Sequence, residues 1–511
     1  MPASLTAYVK ARAADGDGRV AAAAANYAAA LAGSPGNAVI AVRAYREALA
    51  AGDMTLARTA AAVMAAAGVA PADTALLTIA DAVRAKNWTS AEVAAAALAK
   101  GPLDFLGPIV KAWIAFDRGG ADPGADLAIE SGNPLARRFN AENRALLLIA
   151  AGRPDAGVAA LRGLSTVGAG NIDLRLAAAQ LLAGKGRKDD ALALIAGDDQ
   201  ALEAARAHLG KGARASAAFG ISRLFDRLAV EIASGDARPL AIVLARAALT
   251  LDASDDRARL TLADALSRDG AQERALALLD AIDRKGMYGS AALGAKVDVL
   301  TRAGETRSAL ATATTVSNAA GAGSEDAQRL GDLLVAAGRF DDAADAYATA
   351  MARTGDAAGW VLFLQRGGAL EQAGRWAEAR TMLERAVALA PAEAVALNYL
   401  GYAQLERGEN LPAARAMLER ALKLQPHDAA ITDSLGWAYV RTGDVARGLP
   451  LLERAARAQP ADVTIQEHLG DAYWQVGRRY EARYAWRAAA LYADGADSAR
   501  LIGKLGSGLP R

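Results

Sequence analysis

Glycine recurs along this chain at a nearly constant interval, and no other feature limits the possible folds as tightly. From Gly18 the position passes through Gly52, Lys86, Gly119, Gly152 and Gly186 in steps of 34, 34, 33, 33 and 34 residues. After a gap of 49 it resumes at Gly235 and runs through Gly270, Gly304, Gly338, Gly374, Gly408, Gly443 and Gly477 in steps of 35, 34, 34, 36, 34, 35 and 34. A period of 34 residues belongs to a repeated pair of antiparallel helices, each pair resting on its neighbours. Glycine suits the point where the first helix stops, because it takes positive φ without a Cβ clash. Fourteen phased units result, and where the glycine is lost at Lys86, Trp88 and Ala91 hold the phase.

Three units near the C-terminus are close copies. Their first helices read LNYLGYAQLERG, DSLGWAYVRTG and EHLGDAYWQVG, with Gly401, Gly436 and Gly470 at 35- and 34-residue steps. Each is followed by a second apolar run, and Pro426 and Pro460 close the first two. Ala414, Ala421, Ala482 and Ala489 let neighbouring helices approach, while Leu418 and Trp486 fill the space between them. These motifs resemble tetratricopeptide repeats over nearly the whole chain, most specifically after Gly331. The resemblance implies an all-α, right-handed superhelical solenoid that serves as a protein–protein interaction scaffold. Residues 431–439 (ITDSLGWAY), 467–474 (EHLGDAYW) and 477–489 narrow the likeness to a group of proteobacterial tetratricopeptide-repeat proteins. Some of that group look like envelope or secretion factors, so an envelope-assembly or export accessory role is the alternative.

The pattern divides the chain into a degenerate repeat array over 1–199, an irregular insertion over 200–222, a second array over 223–491 and a capping segment and tail over 492–511. The insertion contains HLGKGARASAAFG, residues 208–220. Its Gly210, Lys211, Gly212 and Arg214 do not form GxxxxGK[ST], and no strand precedes them to present a phosphate loop, so an inserted turn or short helix is expected. In the last segment, 499–505 has amphipathic spacing and is expected to cover the final hairpin.

Composition narrows the function classes. With 511 residues the chain exceeds one conventional core, and 53% hydrophobic but only 5% aromatic content means that stability rests on many small contacts. A net charge of +1 supplies no overall attraction to nucleic acid, which is not an expected partner. The absence of cysteine excludes disulfides, thiolate catalysis and cysteine-ligated metal. His208, His427 and His468 form no HExxH pair, and GxSxG is missing, so no catalytic residue, metal ligand or cofactor is assigned. The reading is a non-enzyme, with a site assembled between distant repeats as the remaining enzymatic alternative. MPASLTAYVKAR has neither a basic n-region nor an apolar h-region, and no run of apolar residues is long enough to span a bilayer. As written the chain reads as cytoplasmic. With Ser4 expected as the first N-cap, an upstream leader already removed would make it periplasmic.

Helical geometry then separates two faces of each first helix. Leu435, Gly436 and Tyr439 fall on the packing face, as do Tyr473 and, on a second helix, Trp486. Asn398 and Tyr402, then Asp433, Trp437 and Arg441, then Glu467, Asp471 and Trp474 fall on the other, which in proteins of this kind lines the concave inside. These eight are the candidate partner-binding residues, an exposed polar and aromatic groove for a peptide or helical segment. Trp113 and Phe116 occupy corresponding places in the Gly119 unit and would mark a second patch. No clustered basic pair stands where the carboxylate clamp of the best-known peptide-binding repeats would require it. A second copy of the chain is a further candidate partner.

Overall fold

The computed structural model describes residues 3–128, 132–164, 171–197 and 200–509, and among these it contains 29 α-helices and no strand. The chain divides into two compact units, Met1–Ala320 and Gly321–Arg511.

The punctuation read from the sequence is physical. Every marked position except Gly235 has positive φ, including Lys86 at 55°. At Gly443, with φ of 87°, the next amide, from Asp444, reaches back to the Tyr439 carbonyl at 2.8 Å and ties off the helix end. Asn87 makes the same bond to Ala82 at 2.8 Å, so the turn survives the loss of its glycine. Gly235 differs because a longer link, 233–237, joins helices Ala217–Ile232 and Arg238–Leu251.

The second unit is five hairpins and a final helix. Its first helices, Ser324–Ala336, Trp360–Gln372, Ala394–Glu406, Ala429–Arg441 and Val463–Gln475, all have 13 residues. Asp428 and Asp462 cap two of them by accepting from Ile431 at 2.8 Å and Ile465 at 2.9 Å. Inside each hairpin a first-helix glycine faces a large residue of the second helix. A Cβ on Gly401 would stand 3.0 Å from Leu418, on Gly436 3.0 Å from Leu452 and on Gly367 2.8 Å from Leu383, and on Gly470 it would fall within the indole of Trp486. The absent side chain is what lets the helices close. Trp486 is fully buried and Tyr439 nearly so, whereas Tyr473 is half-buried.

The first unit departs from a simple ladder. The Gly119 unit keeps its turn, but after helix Leu106–Asp117 the described chain holds only a 3-10 turn, Asp126–Ala128, before helix Pro134–Ala150. Ser4 lies within helix Ala3–Gly16 rather than capping it. The expected irregular segment 200–222 contains helix Gln200–His208 and the start of Ala217–Ile232, joined by a short crossing. That crossing hugs the end of helix Asn171–Gly184: Ala213 N–H donates to the Gln180 carbonyl at 2.8 Å, and side chains on Gly184 or Gly212 would collide with backbone. Gly212 of the crossing and Gly184 of the helix thus serve close packing.

The later helices of this unit fold back on the earlier ones. Arg246 donates to the carbonyls of Leu49 at 2.7 Å and Ala50 at 3.0 Å, and Arg274 to that of Ala51, satisfying the open C-terminal end of helix Ala38–Ala51. One apolar cluster runs from Ala11 to Val299 as a result. Trp113, expected as a groove residue, is fully buried against Gly220 and donates its Nε1–H to Asn143 Oδ1 at 3.0 Å. Phe116 packs edge-on against it, centroids 5.9 Å apart. Both are packing residues, because helix Ala217–Ile232 occupies the face that the repeat pattern alone would leave open.

Candidate functional site

The eight predicted residues lie on three successive first helices of the second unit, and most of them touch one another or a neighbouring helix. Trp437 is only 7% exposed, so it is not the open aromatic the helical geometry implied. Its ring stacks on His468 of the following helix, and its Nε1–H donates to Glu406 of the preceding one at 2.7 Å. Asp433 is buried and holds His468 Nδ1 at 2.8 Å. Arg441 is exposed, with its guanidinium 5.8 Å from the Trp437 ring centre and 3.6 Å from Glu406.

One repeat further on, the final helix Gly495–Ser507 closes the face. Arg500 grips both oxygens of Glu467 at 2.8 and 2.6 Å, and Lys504 bridges Glu467 at 2.7 Å and Asp471 at 2.6 Å. Asp471 also accepts from Trp486 Nε1 at 2.8 Å. Burial alone would raise the Glu467 carboxyl, but hydrogen bonds and charge from Arg500 and Lys504 outweigh it and hold the group down to about 2. Asp471, bridged by Lys504 alone of the two cations, stays raised by burial. Trp474 is half-buried, 5.4 Å from Trp486, with Arg479 and Arg483 over its ring and the backbone of Gly508 against its edge.

The same inter-helix stitching continues towards the start of the unit, where Gln328 reaches Gln365 at 2.9 Å, Gln365 reaches Asp332 at 2.9 Å and Arg407 reaches Glu371 at 2.6 Å. Each of these partners lies 33 to 37 residues from the other, one repeat away. Asn398 and Tyr402 remain as the least committed of the eight. Both are half-buried, and Asn398 Oδ1 finds no hydrogen-bond partner, as is also true of Asp433 Oδ1. Burial, then the charges of Glu406 and Asp433, raise the Tyr402 phenol.

His468, Glu406, Arg500 and Lys504 belong to this face and escaped sequence reasoning. A search for opposite charges one repeat apart would have found two of them, since Arg500 follows Glu467, and Lys504 follows Asp471, by 33 residues. Among the described residues no group of three His, Asp or Glu side chains is placed to hold a metal ion. Among the same residues no helix is long and apolar enough to cross a membrane.

A family model described as tetratricopeptide repeat matches residues 302–498. That stretch is a run of tetratricopeptide repeats. No curated protein matches the chain. Solved structures similar to it include a tetratricopeptide repeat protein from Parabacteroides merdae, 16% identical with a TM-score of 0.41, covering 48% of this chain and 98% of its own. A thermophilic tetratricopeptide-repeat protein from Thermus thermophilus is 21% identical with a TM-score of 0.32, covering 36% of this chain and 98% of its own. MamA from Desulfovibrio magneticus is 18% identical with a TM-score of 0.29, covering 33% and 94%. The tetratricopeptide segment is a protein-interaction scaffold, a stack of hairpins that offers a continuous side-chain surface.

Proposed function

We propose that the first-helix face around Asn398 and Tyr402 receives an extended or helical segment of a partner protein, and that the chain acts by holding that partner without catalysis. Trp437, Asp433, Glu467, Asp471 and Trp474 then serve as the rigid floor and end wall of the site, and exposed Arg441 as its rim. The observation that carries this reading is the pair of buried acceptors, Asn398 Oδ1 and Asp433 Oδ1, that nothing among the described residues satisfies. An unsatisfied buried acceptor costs about 1–3 kcal/mol, and a partner's backbone N–H or side-chain donor would remove that cost on binding. Peptide segments supply such donors at regular intervals.

A photoreactive benzoylphenylalanine at position 402 tests this in cells. The expected result is one dominant adduct that maps to a single partner segment and disappears when Asn398→Leu is added. A control probe at Glu384, on the second helix of an earlier hairpin, should give no such adduct. Equal labelling from both positions, or an adduct indifferent to Asn398→Leu, overturns the reading. Whether the adduct forms in the cytoplasmic or the periplasmic fraction separates a cytoplasmic scaffold from an envelope or export factor.

A further inference from the structure

The first unit contains a half-open pocket of about 440 Å³, within the range of small-molecule sites, that neither the repeat pattern nor partner binding requires. Helices Pro134–Ala150, Asn171–Gly184, Ala217–Ile232 and the start of Asp256–Arg268 form its wall, which carries six carboxylates against three guanidinium groups. The guanidinium groups are all committed. Arg223 pairs with Asp255 and lies 3.8 Å from Asp252, Arg227 lies 3.8 Å from Glu142 and 2.7 Å from Glu231, and Arg257 meets Asp173 at 2.8 Å. Asp256 is held by Arg259, and Asp255 caps its helix by accepting from Arg257 and Ala258 N–H at 3.1 and 3.3 Å.

Asp226 is the carboxylate left over. Thr261 hydrogen-bonds its carboxyl and the charge of Arg257 reaches it, yet it is 4% exposed, it lines the pocket, and its Oδ1 accepts no hydrogen bond. A buried carboxylate is costly unless paired, and here the neighbouring Asp255 adds repulsion that a cation would reverse. An anion would find the opposite: excess negative charge and no uncommitted arginine. The Nε–H groups of Arg227 and Arg257 donate no hydrogen bond, yet the charges of both guanidinium groups are already neutralised, so they suit a neutral acceptor on the same ligand. Phe219, Leu224 and Met287 give the cavity an apolar side.

We propose that this cavity binds a small organic cation, a primary ammonium or guanidinium on an alkyl stem, with Asp226 as its counter-ion. The cation arrives either as a free amine or as a lysine or arginine side chain. The full-length protein is titrated calorimetrically with 1,4-diaminobutane, agmatine and N-acetyl-lysine methylamide, with 1,4-butanediol and glutarate as uncharged and anionic controls. At least one cation is expected to bind while both controls do not; binding by the free amines or by the blocked lysine identifies the source. Asp226→Asn, with its helicity checked by circular dichroism, should weaken binding by about 10- to 100-fold, the loss of one charged hydrogen bond. Asp226→Glu, which keeps the charge, should retain binding better than Asp226→Asn and covers the case in which the first variant folds poorly. The proposal fails if no cation binds at about 10 mM, a concentration that would reveal even very weak affinity. It fails equally if the controls bind as well as the cations, or if a folded Asp226→Asn binds as wild type does.

Discussion

The indole of Trp437 lies flat on the imidazole of His468, with ring centres 4.2 Å apart and planes 7° apart. Because Asp433 holds His468, and Trp437 donates to Glu406, this stack ties three successive first helices together. Trp437→Ala should therefore cost stability, about 3–5 kcal/mol for an aromatic removed from a packed site, before any effect on a partner is felt. Trp437→Phe, which keeps most of the ring and loses the bond to Glu406, should cost about 1 kcal/mol. Urea denaturation followed by circular dichroism checks both, and an unchanged midpoint for Trp437→Ala would contradict the stitching role.

Glycines at one repeat position should differ in what they tolerate. Replacing a helical glycine by alanine gains about 1 kcal/mol of helix propensity. At Gly436 the new Cβ would stand 3.0 Å from Cγ and Cδ2 of buried Leu452 and 3.1 Å from Cβ of Leu451, contacts that a shift of a few tenths of an ångström relieves, so gain and crowding should nearly cancel. At Gly470 it would enter the ring of Trp486, which is fully buried and fixed by Asp471, and overpacking should win by about 1–3 kcal/mol. Thermal unfolding of the two variants side by side reads the difference, and equal melting temperatures would refute the close-approach argument.

Lys86 holds a left-handed conformation at φ of 55° in a turn that elsewhere uses glycine. Lys86→Gly relieves that strain, worth about 1–2 kcal/mol, against a smaller entropic loss in the unfolded chain. A net rise in stability of up to about 1 kcal/mol is expected from chemical denaturation. A fall would mean that the lysine side chain makes up for its backbone.

How much of this was legible depends on whether a residue's environment repeats. Gly443, Gly436 and Tyr439 were readable because each unit reuses the same turn and the same packing, so one period predicts the next. The burial of Trp437 was not legible because the ring's partners, His468 and Glu406, lie on adjacent repeats, and helical geometry within one repeat says nothing of them. Trp113 is buried for a longer-range reason. Its partner, Gly220, stands in a segment where the period breaks, and Arg246 fastens the refolded helices to carbonyls about two hundred residues away in sequence. Contacts of that kind leave no periodic trace. The cavity around Asp226 arises from the same fold-back and was equally invisible.

Asp226 should make stability fall with rising pH. Burial, followed by the charge of Asp255, pushes its carboxyl up to about 6, with Asp173 adding to the rise and Arg257 and Thr261 opposing it. The folded state therefore holds this proton over a range where the unfolded chain, at its ordinary value of 3.8, has already released it. The native state binding more protons gives a negative slope of unfolding free energy with pH, between about 4 and 6 and complete above that. Asp226→Asn removes the ionisation. It should be more stable than wild type at pH 7, by about 1–3 kcal/mol, and indistinguishable near pH 4. Urea midpoints at the two pH values decide it; a pH-independent difference would rule out titration as the cause.

Glu467 carries the opposite sign. Its carboxyl is held at about 2 against an ordinary 4.5, because Arg500 and Lys504 overcome the effect of burial. A depressed folded value means stability that is present above about 4.5 and is lost as the pH drops towards 2. The element at stake is the final helix, whose Leu501 is fully buried in one cluster with Trp486, Ala482 and Ala489. Acid should accordingly loosen Gly495–Ser507 as the pH falls towards 2. In Arg500→Leu the Glu467 carboxyl should titrate nearer its ordinary range, and the loss of helix protection should begin at higher pH. Carboxyl carbon shifts by NMR and amide exchange along 495–507 measure the two effects together. A Glu467 titration that does not move in the variant would leave Lys504 as sufficient against burial and remove Arg500 from the account of how this end of the array is closed.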